Sequence, residues 1–437
     1  MEKNSNNLPK LSLILFIATV TLISSVSNMI SPNLLIISAY FGFGENTVPL
    51  GILTSSFTFL SGVTMLIFGY LADKIVRKWI VIGGALIFSV FSTLTILVPP
   101  GFLGYILFFI FTIMTGVGYG ALIPSTFSLI GDLVSQEDRS KGFSFFSISS
   151  LIGMVLGTGL ATFSDDWRSA FTLIGVAGLI TSVFFTFFKE PSRIGRDYIN
   201  IASDDGAEYS YRIKRADLPV IFKKKANIWL IINFVDTIPT GIILFLLFAY
   251  MENYHGIYSG ATIFLLLFIL LATLIGTIVF GYIGDKLFRK GNKKARVKLA
   301  LYGNILPIPF IFIALILPFK PPNLMPGIII FTILFMIGMG LNGAVNGNWY
   351  ATVVDLNLPE HRGTVLAASN FFDIIGRAIG PLIGAVIADT LGFVFGMMAS
   401  IFFWILIPFF WIAVLKNVVP EMEKTAEIFK ERLNTVN

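Results

Sequence analysis

The stretch Gly69-Tyr70-Leu71-Ala72-Asp73-Lys74-Ile75-Val76-Arg77-Lys78 returns as Gly281-Tyr282-Ile283-Gly284-Asp285-Lys286-Leu287-Phe288-Arg289-Lys290, at an offset of 212 positions. Each copy closes a long apolar run and opens a basic loop. That places a carboxylate and a cluster of cations where a hydrocarbon layer meets water. A chain that carries the element twice is built from two homologous halves.

Composition leaves little room for a soluble globule. Hydrophobic residues make up 55% of the chain, charged residues 13%, and the mean hydropathy is +0.84. A helical span needs about 20 apolar residues per ~30 Å of hydrocarbon, so 437 residues hold roughly a dozen. The runs fall at approximately 11 to 39, 47 to 72, 79 to 98, 103 to 131, 140 to 163 and 168 to 188. A second six follow at 227 to 251, 259 to 284, 297 to 317, 325 to 353, 363 to 388 and 393 to 415. The apolar stretch from Leu11 to Ile37 is too long for a signal-peptide core and is read as the first span. With no Cys and two His, thiol, haem and zinc chemistry find no ligands, and no cofactor or metal is expected.

These boundaries give an all-α membrane protein. Residues 1–189 form an N-terminal six-helix half, 190–226 a polar linker, 227–416 a C-terminal six-helix half and 417–437 a tail. Glu421 to Lys430 reads as a short charged helix within that tail. Orientation follows from the cations, which short loops retain on the cytoplasmic side. With the N-terminus inside, all but three of the 31 Lys and Arg (Arg168, Lys320 and Arg377) fall in cytoplasmic segments. Both termini are therefore expected in the cytoplasm and the chain in the cell membrane. The net charge of +6 reflects topology and anionic headgroups, and nucleic acid is not an expected partner.

A second constellation repeats at an offset of 223: Asp132, Glu137 and Arg139 after the fourth span, and Asp355, Glu360 and Arg362 after the tenth, both reading D-x-x-x-x-E-x-R. At that same offset Gly153 and Gly157 match Gly376 and Gly380, a small-x-x-x-small spacing that lets helix backbones approach closely in lipid.

On these residues the chain resembles the major facilitator superfamily, whose signature loop between the second and third spans is echoed between the eighth and ninth. The resemblance implies twelve helices in two halves around a central substrate cavity, working by rocking alternating access. Within the superfamily, Trp167-Arg168-Ser169-Ala170-Phe171, Glu190-Pro191-Ser192-Arg193-Ile194-Gly195, and Gly380-Pro381-Leu382-Ile383-Gly384 with Asp389 look most like Spinster-type lipid transporters. That group's usual Arg and Glu in the fourth span are here Thr112 and Tyr119. Its acid early in the first span gives way to Ser24, Ser25, Ser27 and Asn28. Its usual proton-coupling groups therefore do not carry over.

The signature carboxylates Asp73 and Asp285 stand where they can accept hydrogen bonds from free N–H groups at a helix start and meet its positive dipole end. The superfamily fold implies the eleventh and fifth spans as their partners, starting near Gly363 and Ser140. Arg77 would then bridge to Glu137 or Asp132, and Arg289 to Glu360 or Asp355, as charge-assisted pairs closing a cytoplasmic gate. The competing view is that all of these are solvated interface anchors.

Three charges lie deep in spans, where each costs roughly 2.5 to 3.5 kcal/mol. Asp373 stands about ten residues into the eleventh span, ~15 Å along the helix axis, and Arg377 one turn further. Their spacing allows them to neutralise each other; otherwise one of them meets substrate or a proton. Asp236 sits beside Pro239 and Gly241, a weakened helix whose freed backbone groups must face protein or a cavity rather than lipid. It ranks first among the cavity acids. Asn342 and Asn346 in the tenth span, Tyr119 in the fourth and Asn28 in the first complete the candidate substrate contacts.

The sequence thus reads as a secondary active transporter of a small organic solute, amphipathic, lipid-like or anionic, acting as a monomer with a proton as candidate coupling ion. A facilitative uniporter and a drug or metabolite efflux antiporter are the alternatives. A membrane receptor or membrane enzyme is the competing class, but no catalytic His, Cys or paired-carboxylate centre is present. No G-x-x-x-x-G-K-[ST] loop occurs, so direct ATP drive is not expected.

Overall fold

The computed structural model describes residues 7–133, 139–188, 217–319 and 324–436, and every regular element among them is a helix. Eleven helices among the described residues are long and apolar enough to cross a membrane. The remaining one, Arg139–Phe163, supplies the fifth span.

Unbroken helices form the second span (Val48–Lys74), the fourth (Phe102–Leu133), the sixth (Trp167–Thr186), the eighth (Ser259–Arg289) and the eleventh (Pro359–Leu391). The third is Arg77–Leu94 with one 3-10 turn, Thr95–Leu97. Others break where the sequence removes a backbone donor or a side chain. The first runs Asn7–Val26 and Leu34–Tyr40 around a 3-10 turn containing Pro32. The ninth restarts at Pro307 (Ala295–Ile305, then Pro307–Ile316), and the tenth restarts after Gly343 (Leu324–Asn342, then Ala344–Leu356).

The twelfth differs most from expectation. A short separate tail helix was expected after the last span, but Phe393–Val436 is one helix of 44 residues with Pro408 and Pro420 inside it. At 1.5 Å per residue it is about 66 Å long, twice the hydrocarbon thickness, so its last turns stand clear of the lipid.

The chain divides into two compact units, one up to and including Asp205 and one from Gly206, with Leu244–Ala249 grouped with the first. Their internal packing repeats. In the first unit, span one lies on five and six, two on four, and three on four and six. In the second, seven lies on eleven and twelve, eight on ten, and nine on ten and twelve. The glycine spacing explains one of these pairs. A Cβ on Gly153 or Gly157 would strike the Thr21 and Ser25 carbonyls of the first span, and one on Gly376 or Gly380 the Phe234 and Ile238 carbonyls of the seventh.

Large apolar side chains such as Phe409, Ile278 and Phe264 stay exposed along the spans, as hydrocarbon contact requires, while Trp404, Trp411 and Phe108 are fully buried.

Candidate functional site

The seventh span breaks where its sequence turns polar. Lys225–Ile232 gives way to a 3-10 turn, Asn233–Asp236, and the helix restarts as Thr237–His255. Pro239 costs nothing there, because the first N–H groups of a helix have no intrahelical acceptor. Asn233 Nδ2 donates to Asp236 Oδ2 at 2.9 Å. Thr237 Oγ1 approaches two carbonyls, Phe234 at 2.8 Å and Asp373 of the eleventh span at 2.9 Å. With Gly376 and Gly380 admitting the seventh-span backbone, Asp236, Asp373 and Arg377 come within electrostatic reach of one another.

No salt bridge joins Asp373 to Arg377 among the described residues, although they stand one turn apart. Asp373 is half-buried, and Arg377 is exposed near the middle of Thr364–Leu391. The simple self-neutralising pair is therefore not formed. An exposed guanidinium at that depth needs a wet surface rather than lipid. Beside it, Tyr350 Oη donates to Asn370 Oδ1 at 3.3 Å, and Asn346, one turn before Tyr350, is also exposed. Asn346 and Tyr350 make a polar stripe on the tenth span, as Asn370, Asp373 and Arg377 do on the eleventh. Tyr350 and Asn370 escaped the sequence reading, although their spacing from Asn346 and Asp373 was a usable signal.

The other candidates make contacts within the protein. Asn342 Nδ2 donates to the Gly303 carbonyl at 3.3 Å, tying the tenth span to the ninth. Asn28, at the break in the first span, donates to Ser27 Oγ at 3.1 Å. Tyr119 stands edge-on to Phe57 with ring centroids 6.0 Å apart.

At the signature-loop end of the second unit the expected pairing is replaced by another. Arg289 is exposed, and its Nε reaches only the Asp285 backbone carbonyl, at 3.4 Å. Arg296 takes the place assigned to it: its Nη2 donates to Asp285 Oδ1 at 2.6 Å, its Nη1 to Asp355 Oδ2, and its guanidinium lies 4.1 Å from the centre of the Phe288 ring. Helix geometry is the reason. In the first copy the second span ends at Lys74, and Arg77 opens the next helix, buried. In the second copy the helix continues to Arg289, and Arg296 stands in the first turn of the next. The two copies match in letters, but it is Arg77 in the first and Arg296 in the second that stand in the first turn of the following helix. Arg362 also caps: its Nε donates to the Val354 and Asn357 carbonyls at 3.0 and 3.2 Å, where the tenth span ends. Glu137 lies outside the described residues, as do the side chains of Asp73, Asp132, Arg139 and Glu360.

The long twelfth helix reaches the same region. Glu421 accepts from the backbone N–H groups of Lys225 (2.8 Å) and Ala226 (3.1 Å), capping the seventh span. Thr425 Oγ1 donates to the Leu356 carbonyl at 2.9 Å, and Lys293 pairs with Glu423 at 2.9 Å. Between them Asn227 and Asn357, both buried, exchange side-chain amide bonds of 2.8 and 2.9 Å.

In the first unit the Trp167–Phe171 stretch is a structural lock. Asp166 caps the sixth span through the Arg168 N–H (3.0 Å) and grips the Arg168 guanidinium, which also donates to Tyr40 Oη and the Val98 carbonyl. That guanidinium holds the Asp166 carboxyl below the usual carboxylate range.

A family model described as "Major Facilitator Superfamily" matches residues 15–373. The chain belongs to the Major Facilitator Superfamily. It is 26% identical over 362 residues to the gentisate transporter of Corynebacterium glutamicum, spanning 79% of this chain and 74% of that one. Protein spinster of Drosophila melanogaster is 29% identical over 158 residues, 35% of this chain and only 25% of that protein. In fold, a bacterial homologue of the human lysosomal transporter Spinster, solved in an inward-facing and occupied conformation, superposes with a TM-score of 0.79 at 15% identity. That match covers 95% of this chain and 98% of the other.

As a superfamily member the chain is a multi-pass transporter and not an enzyme. Its deep charges Asp236, Asp373 and Arg377 all lie in the second unit, while Thr112, Tyr119 and Asn28 in the first unit carry no charge.

Proposed function

We propose that this superfamily member is a proton-coupled secondary transporter of a small organic anion, moving its solute by rocker-switch alternating access. The observation that carries the reading is Arg377: a mid-span guanidinium, exposed and without a salt bridge to the acid one turn away, is the recognition group for a carboxylate or phosphate. Asn346, Tyr350 and Asn370 offer neutral hydrogen bonds around it. Asp236 and Asp373 are the candidate proton carriers. A proton on either raises the local charge and strengthens the hold on an anion, which links the two fluxes. Asp73 with Arg77, Asp285 with Arg296 and Asp355, and the acids and arginines at 132, 137, 139, 360 and 362 form the proposed cytoplasmic gate.

Similarity to a gentisate transporter, whose named solute is an organic anion, supports this class. The Spinster matches keep an amphipathic, lipid-like anion within it. The protein is proposed to act as a monomer in the plasma membrane, with both termini cytoplasmic. A uniporter, or an antiporter driving efflux, would use the same site with a different coupling.

Reconstituted into liposomes, the protein should take up organic carboxylates or lysophospholipids, and Arg377→Gln should raise the KM at least tenfold while folding normally. Transport of neutral or cationic solutes alone, or an unchanged KM in Arg377→Gln, contradicts the anion reading.

A further inference from the structure

His255 is one of two histidines in the chain and ends the seventh span, where Gly256 at a φ of 71° turns the backbone away. It is buried, as is Tyr250 five residues earlier. Its ring lies flat on Phe319, with centroids 3.6 Å apart and planes 9° from parallel. Among the described residues three polar contacts meet there. His255 Nδ1 is 3.2 Å from the Phe319 carbonyl, His255 Nε2 is 3.0 Å from Tyr250 Oη, and Tyr250 Oη is 2.9 Å from the Leu315 carbonyl.

Each contact needs one hydrogen, and the two carbonyls can only accept. A neutral imidazole carries one N–H and a tyrosine one O–H, which makes two donors for three contacts. If the ring N–H serves Phe319, the Tyr250 hydroxyl must choose between Leu315 and Nε2. An imidazolium removes the conflict: Nδ1–H donates to Phe319, Nε2–H to Tyr250 Oη, and the hydroxyl stays free to donate to Leu315.

We propose that this cluster is a proton-binding site, with His255 carrying the proton in the conformation seen here. The bound proton ties the end of the seventh span to the end of the ninth, because all three links close only when it is present. Losing it leaves one of three acceptors, the Phe319 carbonyl, the Leu315 carbonyl or Nε2, without a hydrogen, according to the tautomer. Other ionisable groups nearby are Tyr250, Tyr254, whose ring centroid is 4.7 Å from the imidazole, and the exposed Glu252, all on the same helix. The ninth span contributes the Leu315 carbonyl, the residues just after it the Phe319 carbonyl and ring, and the tenth the Phe331 ring at 6.2 Å. Lys320 lies outside the described residues. Asp236 stands 19 residues earlier in the same span, roughly 28 Å along the helix axis. One span thus carries proton acceptors at two depths. The site stands on its own geometry and does not depend on which solute is carried.

With two histidines in the chain, ring-labelled 15N histidine in full-length protein in lipid nanodiscs gives two ring systems, assigned by His361→Gln. At pH 7 the His255 ring should show two protonated nitrogens, and Tyr250→Phe should return it to a neutral ring with one bare nitrogen. A neutral His255 in the wild-type protein at pH 7 overturns the proposal. An imidazolium that persists unchanged in Tyr250→Phe overturns it as well, since the donor count would not be what holds the proton. The wild-type spectrum decides even if Tyr250→Phe fails to fold.

Discussion

Arg296 Nη2 lies 2.6 Å from the Asp285 carboxylate, eleven residues away in sequence, while Arg289 in the repeated motif points elsewhere. The Arg296 side chain is 14% exposed, Asp285 50% and Asp355 23%, so one guanidinium serves two carboxylates at the edge of the protein interior.

Arg296→Gln should therefore destabilise the protein by about 1 to 3 kcal/mol. That is less than the ~3 to 5 kcal/mol of a broken, fully buried pair, because Asp285 keeps half its exposure to water. Arg289→Gln should stay within about 0.5 kcal/mol. Thermal unfolding of the two variants in one detergent makes the comparison, and equal losses would remove the assignment of Arg296 to the motif.

The twelfth helix should behave as part of the second unit. Glu421→Gln weakens the cap on the Lys225 and Ala226 N–H groups and should cost about 0.5 to 2 kcal/mol. Amide hydrogen exchange should quicken at 225–232. Exchange unchanged there would mean that the capping contact is dispensable.

Much of this was legible in the sequence because its signals were periodic or duplicated. Apolar runs marked the first eleven spans within a few residues, and Gly157 and Gly380 marked helices whose backbones are approached closely. What escaped depended on where helices end. Arg289 and Arg77 share a motif position, yet the helix runs four residues past Asp285 against one past Asp73, which carries Arg289 past the site and brings in Arg296. His255 escaped because its partners are a hydroxyl and two backbone carbonyls, and backbone groups leave no mark in a sequence. Similarly, nothing in the composition of Glu421 to Lys430 reveals that the span before it continues unbroken.

The Asp166 lock gives a pH dependence with a definite sign. Its carboxyl is depressed in the folded state, so its contribution is present above the unfolded carboxylate value of about 3.9 and is lost as pH falls through the lower folded value. Asp166→Asn should melt lower than wild type at pH 7, and the gap should close as the pH falls below the unfolded carboxylate value of about 3.9. Because Asp166 is 38% exposed, the gap is small. A gap that persists undiminished at the acid end would assign it to helix capping alone.

Orientation can be read by labelling, since the chain has no native Cys. A Cys at position 205 should resist an impermeant thiol reagent in intact cells, and one at position 45 should react. The reverse pattern would invert the proposed topology.

The most direct test of the transport account is proton movement itself. Proteoliposomes holding a pH-sensitive dye, given an inward gradient of the transported anion, should acidify with wild-type protein. Asp236→Asn should exchange labelled solute at equal concentrations on both sides yet move no protons and accumulate nothing uphill. Wild-type acidification and uphill uptake in Asp236→Asn would contradict the account.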